Sequence, residues 1–142
     1  MRRWMKTLSA SSQDADAAPR PLQQPGAGLK PTEVPLKVAF RVDASLQIGT
    51  GHVMRCLTLA GALRSAGFES AFICREHPGH LAARISESGF CVHLLPPPAT
   101  SAPQGWLGAS QEEDARDSTT ALARIGDVDL LVVDHYAIGA SW

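Results

Sequence analysis

The sequence predicts an α/β fold, a Rossmann-like parallel sheet wound by right-handed crossovers. Three observations carry this. Strand-like and helix-like segments alternate from Leu36 onward. Each of the three helical segments is closed by a glycine, Gly67, Gly89 or Gly126, where a left-handed C-terminal cap is needed. The last strand, Asp129-Leu130-Leu131-Val132-Val133-Asp134, is nearly all apolar, as a strand covered on both faces should be.

The elements follow in order. Leu36 to Val42 is rich in β-branched and aromatic residues and reads as the first strand. Asp43 to Thr50 is a loop. His52 to Ala66 carries Val53, Leu57, Ala60 and Leu63 at the spacing of one helix face. Phe68 to Cys74 is the second strand, Leu81 to Ser88 the second helix, and Phe90 to Leu95 the third strand, stopped by Pro96-Pro97-Pro98. A long loop through Trp106 and Gly108 follows. Ser110-Gln111-Glu112-Glu113 is a capping box, with Ser110 as N-cap and Glu113 reaching back. It opens a helix that runs to Ile125. In such a sheet the first and fourth strands are neighbours, and ligands sit beyond their carboxyl ends. The loops Asp43–His52 and Asp134–Gly139 are therefore where chemistry is expected.

Composition narrows the class. Half of the ten prolines fall in the first 35 residues, with one aromatic, Trp4, and no apolar period. That stretch cannot bury enough surface to offset its ordering entropy, so residues 1–35 are expected to be a disordered tail without assigned function. Residues 36–142 form the folded domain. A formal net charge of −1 speaks against a nucleic-acid or anionic-membrane partner. No apolar run approaches the roughly 18 residues of a membrane span. The start is basic, yet no apolar segment follows it as in a signal peptide. Three cysteines are too few for a disulfide-stapled fold. Cys56 and Cys91 read as small buried residues, and a reducing, cytoplasmic setting is expected.

Gly49-Thr50-Gly51-His52 follows a strand and opens a helix. Its glycines allow close backbone approach, and free first-turn N–H groups attract anions. Met54 stands where a dinucleotide fingerprint needs a third glycine, and no Gly-Lys-Ser/Thr is present. The pattern fits a plain tight turn or a ligand loop. His52 fits a helix-capping residue or a general base. The helix entry favours the neutral ring a base requires, and a bound diphosphate would pull the other way. Asp134-His135-Tyr136 ends an apolar strand and should face His52. Asp134 then orients His52 or its loop, and Tyr136 donates to a sugar or phosphate oxygen. Arg41 and Asp43 form an ion pair fixing the loop, or touch ligand directly. Arg55 is a phosphate contact or a solvated charge. Cys74, His77 and His80 offer three-residue spacing, but without Cys-x-x-Cys or His-Glu-x-x-His no metal is expected.

Phe40 to Leu57, Trp106 to Ala115 and Val133 to Tyr136 together resemble the UDP-sugar hydrolases of pseudaminic acid synthesis, over Leu36 to Trp142. Those enzymes act on UDP-2,4-diacetamido-2,4,6-trideoxy-β-L-altropyranose. The resemblance implies the N-terminal half of a two-domain GT-B architecture, similar to the enzyme that adds N-acetylglucosamine in peptidoglycan synthesis. It implies hydrolysis of the anomeric C–O bond without a required metal or other cofactor. The family's proposed base, the histidine of the Gly-x-Gly-His loop, maps onto His52. Its active-site tyrosine maps onto Tyr136. Gly49, Thr50, Gly51, Asp43, Arg41, Arg55, His135 and Asp134 are the remaining candidate substrate contacts.

UDP is a good leaving group, so a paired carboxylic acid is less needed than in glycoside hydrolysis. Against the GT-B pattern the chain reads as a truncated first domain without the nucleotide-binding second one. By itself it is expected to show little or no hydrolase activity and poor solubility. The rival readings are the acceptor half of a GT-B glycosyltransferase, with His52 activating an acceptor hydroxyl, and a non-catalytic sugar- or nucleotide-binding remnant.

Overall fold

β1 (Lys37–Val42) is the inner strand around which the sheet is built. The computed structural model describes residues 34–98 and 105–142. The expected tail falls on residues 1–35, of which 1–33 lie outside the described residues. After β1 come α1 (Gly51–Ser65), β2 (Glu69–Arg75), α2 (Ala82–Glu87), β3 (Cys91–Leu95), α3 (Gln111–Ile125) and β4 (Leu130–Asp134). Every expected element is present, with ends shifted by a residue or two. The order is β3-β2-β1-β4 and every pairing is parallel. The chain is therefore an α/β protein with a Rossmann-like sheet, and β1 and β4 are neighbours.

Alternate residues of each strand face opposite layers. Val38, Phe40 and Val42 pack with Phe72 and Cys74 against Val53, Cys56 and Ala60 of α1 and Ile85 of α2. Phe40 and Phe72, in register, stack with centroids 5.0 Å apart. The other face is smaller: Ile73 and Leu95 meet Ala121, Leu122 and Ile125 of α3. Arg41 and Arg75 stand on that second face at the carboxyl ends of their strands, beside the first turns of α3.

Three local expectations change. The cap of α3 is one-sided: Ser110 Oγ accepts from the Glu113 N–H at 3.1 Å, with no return bond from the Glu113 carboxylate among the described residues. β4 is not covered on both faces, and Leu130 and Val133 are exposed. It is the outer strand, and α3 lies over β2 and β3 instead. Cys91 is exposed because it opens the other outer strand, β3; Cys56 and Cys74 are buried. Among the described residues no helix is long and apolar enough to cross a membrane.

Candidate active site

Val42 is in register with Asp134, so the loops leaving β1 and β4 emerge side by side at the carboxyl end of the sheet. The loop after β1 is a self-bonded turn. Ser45 Oγ accepts from the N–H groups of Gln47 and Ile48 at 3.1 and 2.9 Å, and Gly49 N–H donates to Ser45 O at 2.9 Å. Gly49 has φ +80°, which a side chain would strain. Nothing lies within 4 Å of a Cβ built on Gly49 or Gly51. Thr50 is the N-cap of α1 but makes no side-chain cap, and the first turn carries no acidic residue. The segment is thus a tight turn that also presents an uncapped helix entry to open space, the setting that favours an anion.

His52, the second residue of α1, is 8% exposed. Its Nδ1 lies 2.9 Å from Asp134 Oδ1. The edge of Tyr136 meets its ring nearly perpendicularly, with centroids 4.6 Å apart. The imidazole is therefore packed against the Asp-His-Tyr exit. Arg55, one turn along α1, binds both Asp134 oxygens through Nε and Nη2, and Nη2 also stands 2.8 Å from His52 Nδ1. One nitrogen cannot donate to Asp134 and accept from Arg55 at once. Hydrogen bonds from Arg55, opposed by partial burial and reinforced by His52, hold the Asp134 carboxyl down at about 2. Asp134 Oδ1 and Arg55 Nη2 thus both face Nδ1, and a proton on Nδ1 would be donated to the carboxylate. No described residue engages Nε2. A carboxylate on one ring nitrogen with the other unengaged is the Asp–His relation of hydrolytic triads.

Arg55 is paired with Asp134 while its side chain stays 56% exposed, so it is a solvated charge held on a carboxylate, with part of its guanidinium open to a phosphate. Cys56 Sγ lies 3.5 Å from Asp134 Oδ2; burial and that carboxylate push the thiol up to about 12. It is a packing residue.

Of the two readings open for Arg41 and Asp43, the structure shows the ion pair. Both are fully buried, and Arg41 grips both oxygens of Asp43 at 2.6 and 2.9 Å. Neither lines the surface, so neither is a substrate contact. The reason is strand parity: Arg41 points to the α3 layer, where Asp114 receives it at 2.7 and 3.0 Å and receives Arg75 at 2.8 and 3.1 Å. Burial pushes the Asp43 carboxyl up, but His135, His77 and Arg41 outweigh it and hold the group well below the carboxylate range. For Asp114, burial is likewise outweighed, by Arg41 and Arg75.

His135 also turns inward, toward Asp43, and does not present its ring at the surface. Its Nδ1 accepts from the Ala137 N–H at 3.1 Å. Its Nε2 lies 3.2 Å from Asp43 Oδ2, too oblique for a formed hydrogen bond. His77 Nε2 approaches the same oxygen at 3.6 Å, so His77 belongs to this cluster. Gly108, at φ +69°, packs so closely that a Cβ would fall 2.8 Å from His77 Cε1 and from Pro98 Cγ.

The loop after β4 is clamped by α3. Gln111 Nε2 donates to Ala137 O, and Gly139 N–H donates to Gln111 Oε1 at 3.0 Å. The clamp holds Tyr136, which is 73% exposed, beside His52. The structure thus brings His52, Asp134, Tyr136, Arg55 and the Gly49–Gly51 turn together and sends Arg41, Asp43 and His135 inward. Arg75, His77, Asp114 and Gln111 were not legible as partners of this region, since each acts across tens of residues. The one available signal was a charged residue, Arg75, directly after the apolar run Ala71–Cys74. Compared with models of known protein families and with curated proteins, the chain matches none.

Proposed function

We propose that this chain carries the catalytic base of a nucleotide-sugar hydrolase that cleaves the anomeric C–O bond of a UDP-sugar to free sugar and UDP. UDP-2,4-diacetamido-2,4,6-trideoxy-β-L-altropyranose is the substrate the sequence resemblance implies. The observation that carries the reading is the Asp134–His52 pair at 2.9 Å, set beside an open glycine turn. In this mechanism His52 Nε2 takes a proton from water as its oxygen attacks the anomeric carbon. The C–O bond breaks with its electron pair going to the diphosphate, whose charge the Gly51 helix entry stabilises. Tyr136 donates to a sugar or phosphate oxygen. A nucleotide-binding second lobe of the GT-B type and a cytoplasmic setting belong to the same proposal; the free thiols of Cys56, Cys74 and Cys91 agree with the latter.

The test is to incubate the purified chain with that UDP-sugar and no acceptor, following UDP release and the ring signals of His52. The ring signals are expected to move on saturation, and whatever slow release occurs should fall to background in His52→Ala. Release indifferent to His52→Ala, or a ring that ignores the ligand, overturns the reading. Turnover that starts only when an acceptor alcohol is added points to transfer instead of hydrolysis.

A further inference from the structure

Two large aromatic side chains stand in water next to the buried His–Asp pair. Tyr136 is 73% exposed and Trp106 44% exposed, and their ring centroids are 6.2 Å apart at 46°. Tyr136 in turn touches His52, so the three rings form a continuous row leading away from the imidazole. The backbone beside both outer rings is anchored. Leu107, next to Trp106, is buried, and Gly108 is wedged against His77 and Pro98. Gln111 holds the backbone just beyond Tyr136. Two exposed aromatics in contact with each other, one of them against His52, make an apolar patch rather than a scattered surface pair.

We infer that Trp106 and Tyr136 form the sugar-ring subsite, stacking on the apolar face of the pyranose and selecting a sugar that presents C–H and methyl groups there. The inference rests on the hydrolase reading and deepens it. The general base must come within about 3 Å of the proton it removes. The pyranose bearing the attacked carbon therefore lies next to His52, over the rings adjoining it. The uracil, separated from that carbon by two phosphates and a ribose, lies past the helix entry and away from the row. Aromatic faces suit aliphatic C–H groups and gain little from a charged diphosphate, which the Gly49–Gly51 turn receives instead.

The 142-residue chain provides its own control. The indole N–H of Trp142 is held on Asp114 Oδ1 at 2.9 Å, away from the platform. In ¹⁵N-labelled chain, the Trp106 indole signal is expected to shift saturably with UDP-2,4-diacetamido-2,4,6-trideoxy-β-L-altropyranose and with the free sugar. UDP alone should leave it in place, and Trp142 should not move with any of the three. Trp106→Ala should weaken sugar-nucleotide binding about tenfold and leave UDP binding unchanged, while Trp106→Phe restores most of the loss. If UDP moves Trp106 as strongly as the sugar nucleotide does, the platform holds the base and the inference fails. If the sugar nucleotide shifts His52 and Gly51 but not Trp106, the inference fails and the hydrolase reading stands. If none of these signals responds, both fail.

Discussion

Trp142 Nε1 donates to Asp114 Oδ1 at 2.9 Å, so the segment beyond Tyr136 is tied to the same carboxylate that neutralises two buried arginines. Asp114 is the shared acceptor of Arg41, Arg75 and Trp142. Asp114→Ala leaves both guanidinium groups buried with fewer anions, a change expected to cost about 3–5 kcal/mol. Urea unfolding measures it; a loss below about 1 kcal/mol means that water or Asp117 already compensates the arginines.

Acid should weaken the fold in a defined window. Asp43, Asp114 and Asp134 all titrate below their ordinary values when folded. A depressed carboxyl contributes stability that is complete above its unfolded value, near pH 4, and is lost as pH falls through the folded value. For Asp134 that lower limit is about 2. The thermal midpoint is expected to be flat in these groups above about pH 5 and to drop steeply from about pH 4 toward pH 2. A midpoint unchanged down to pH 3 contradicts the assignment.

Asp134→Asn removes the anion facing His52 Nδ1 without removing the side chain's bulk. Long-range ¹⁵N–¹H spectra of the imidazole should show the Nδ1–H tautomer in the parent chain and a shift toward Nε2–H in the variant. Whatever His52-dependent UDP release the parent chain shows should fall to background. A tautomer unchanged by the substitution means that Arg55 or solvent, not Asp134, sets it.

Glycine substitutions should separate fold from site. Gly108→Ala meets both a left-handed φ and a contact at 2.8 Å, and is expected to destabilise by about 2 kcal/mol or more. Gly51→Ala enters open space inside a helix. It should leave the thermal midpoint unchanged or slightly raised while weakening UDP-sugar binding, because the added methyl stands where the diphosphate would approach the helix entry. Equal stability losses for the two would contradict the packing described.

How much was legible follows from the range of each interaction. Glycine-closed helices and apolar strands are local patterns, and they were enough for the four strands, the three helices and the adjacency of β1 and β4. That adjacency placed His52 opposite Asp134 and Tyr136 before any distance was known. Arg41 was harder. Its partner Asp114 lies 73 residues away, and only the position of α3 over β2 and β3 reveals that Arg41 faces a carboxylate and not solvent. His135 went astray for a related reason: it sits between two surface-facing residues, but backbone alternation turns it toward Asp43. Exposure on β4 was misjudged because an apolar strand reads alike whether inner or outer.

Asp134 and His135 are consecutive, yet one serves the reactive surface and the other the ionic interior. A single peptide unit therefore acts as the pivot between chemistry and scaffold. Remodelling this point to shift His52 will disturb the ionic cluster beneath it, and reshaping that cluster will tilt the imidazole.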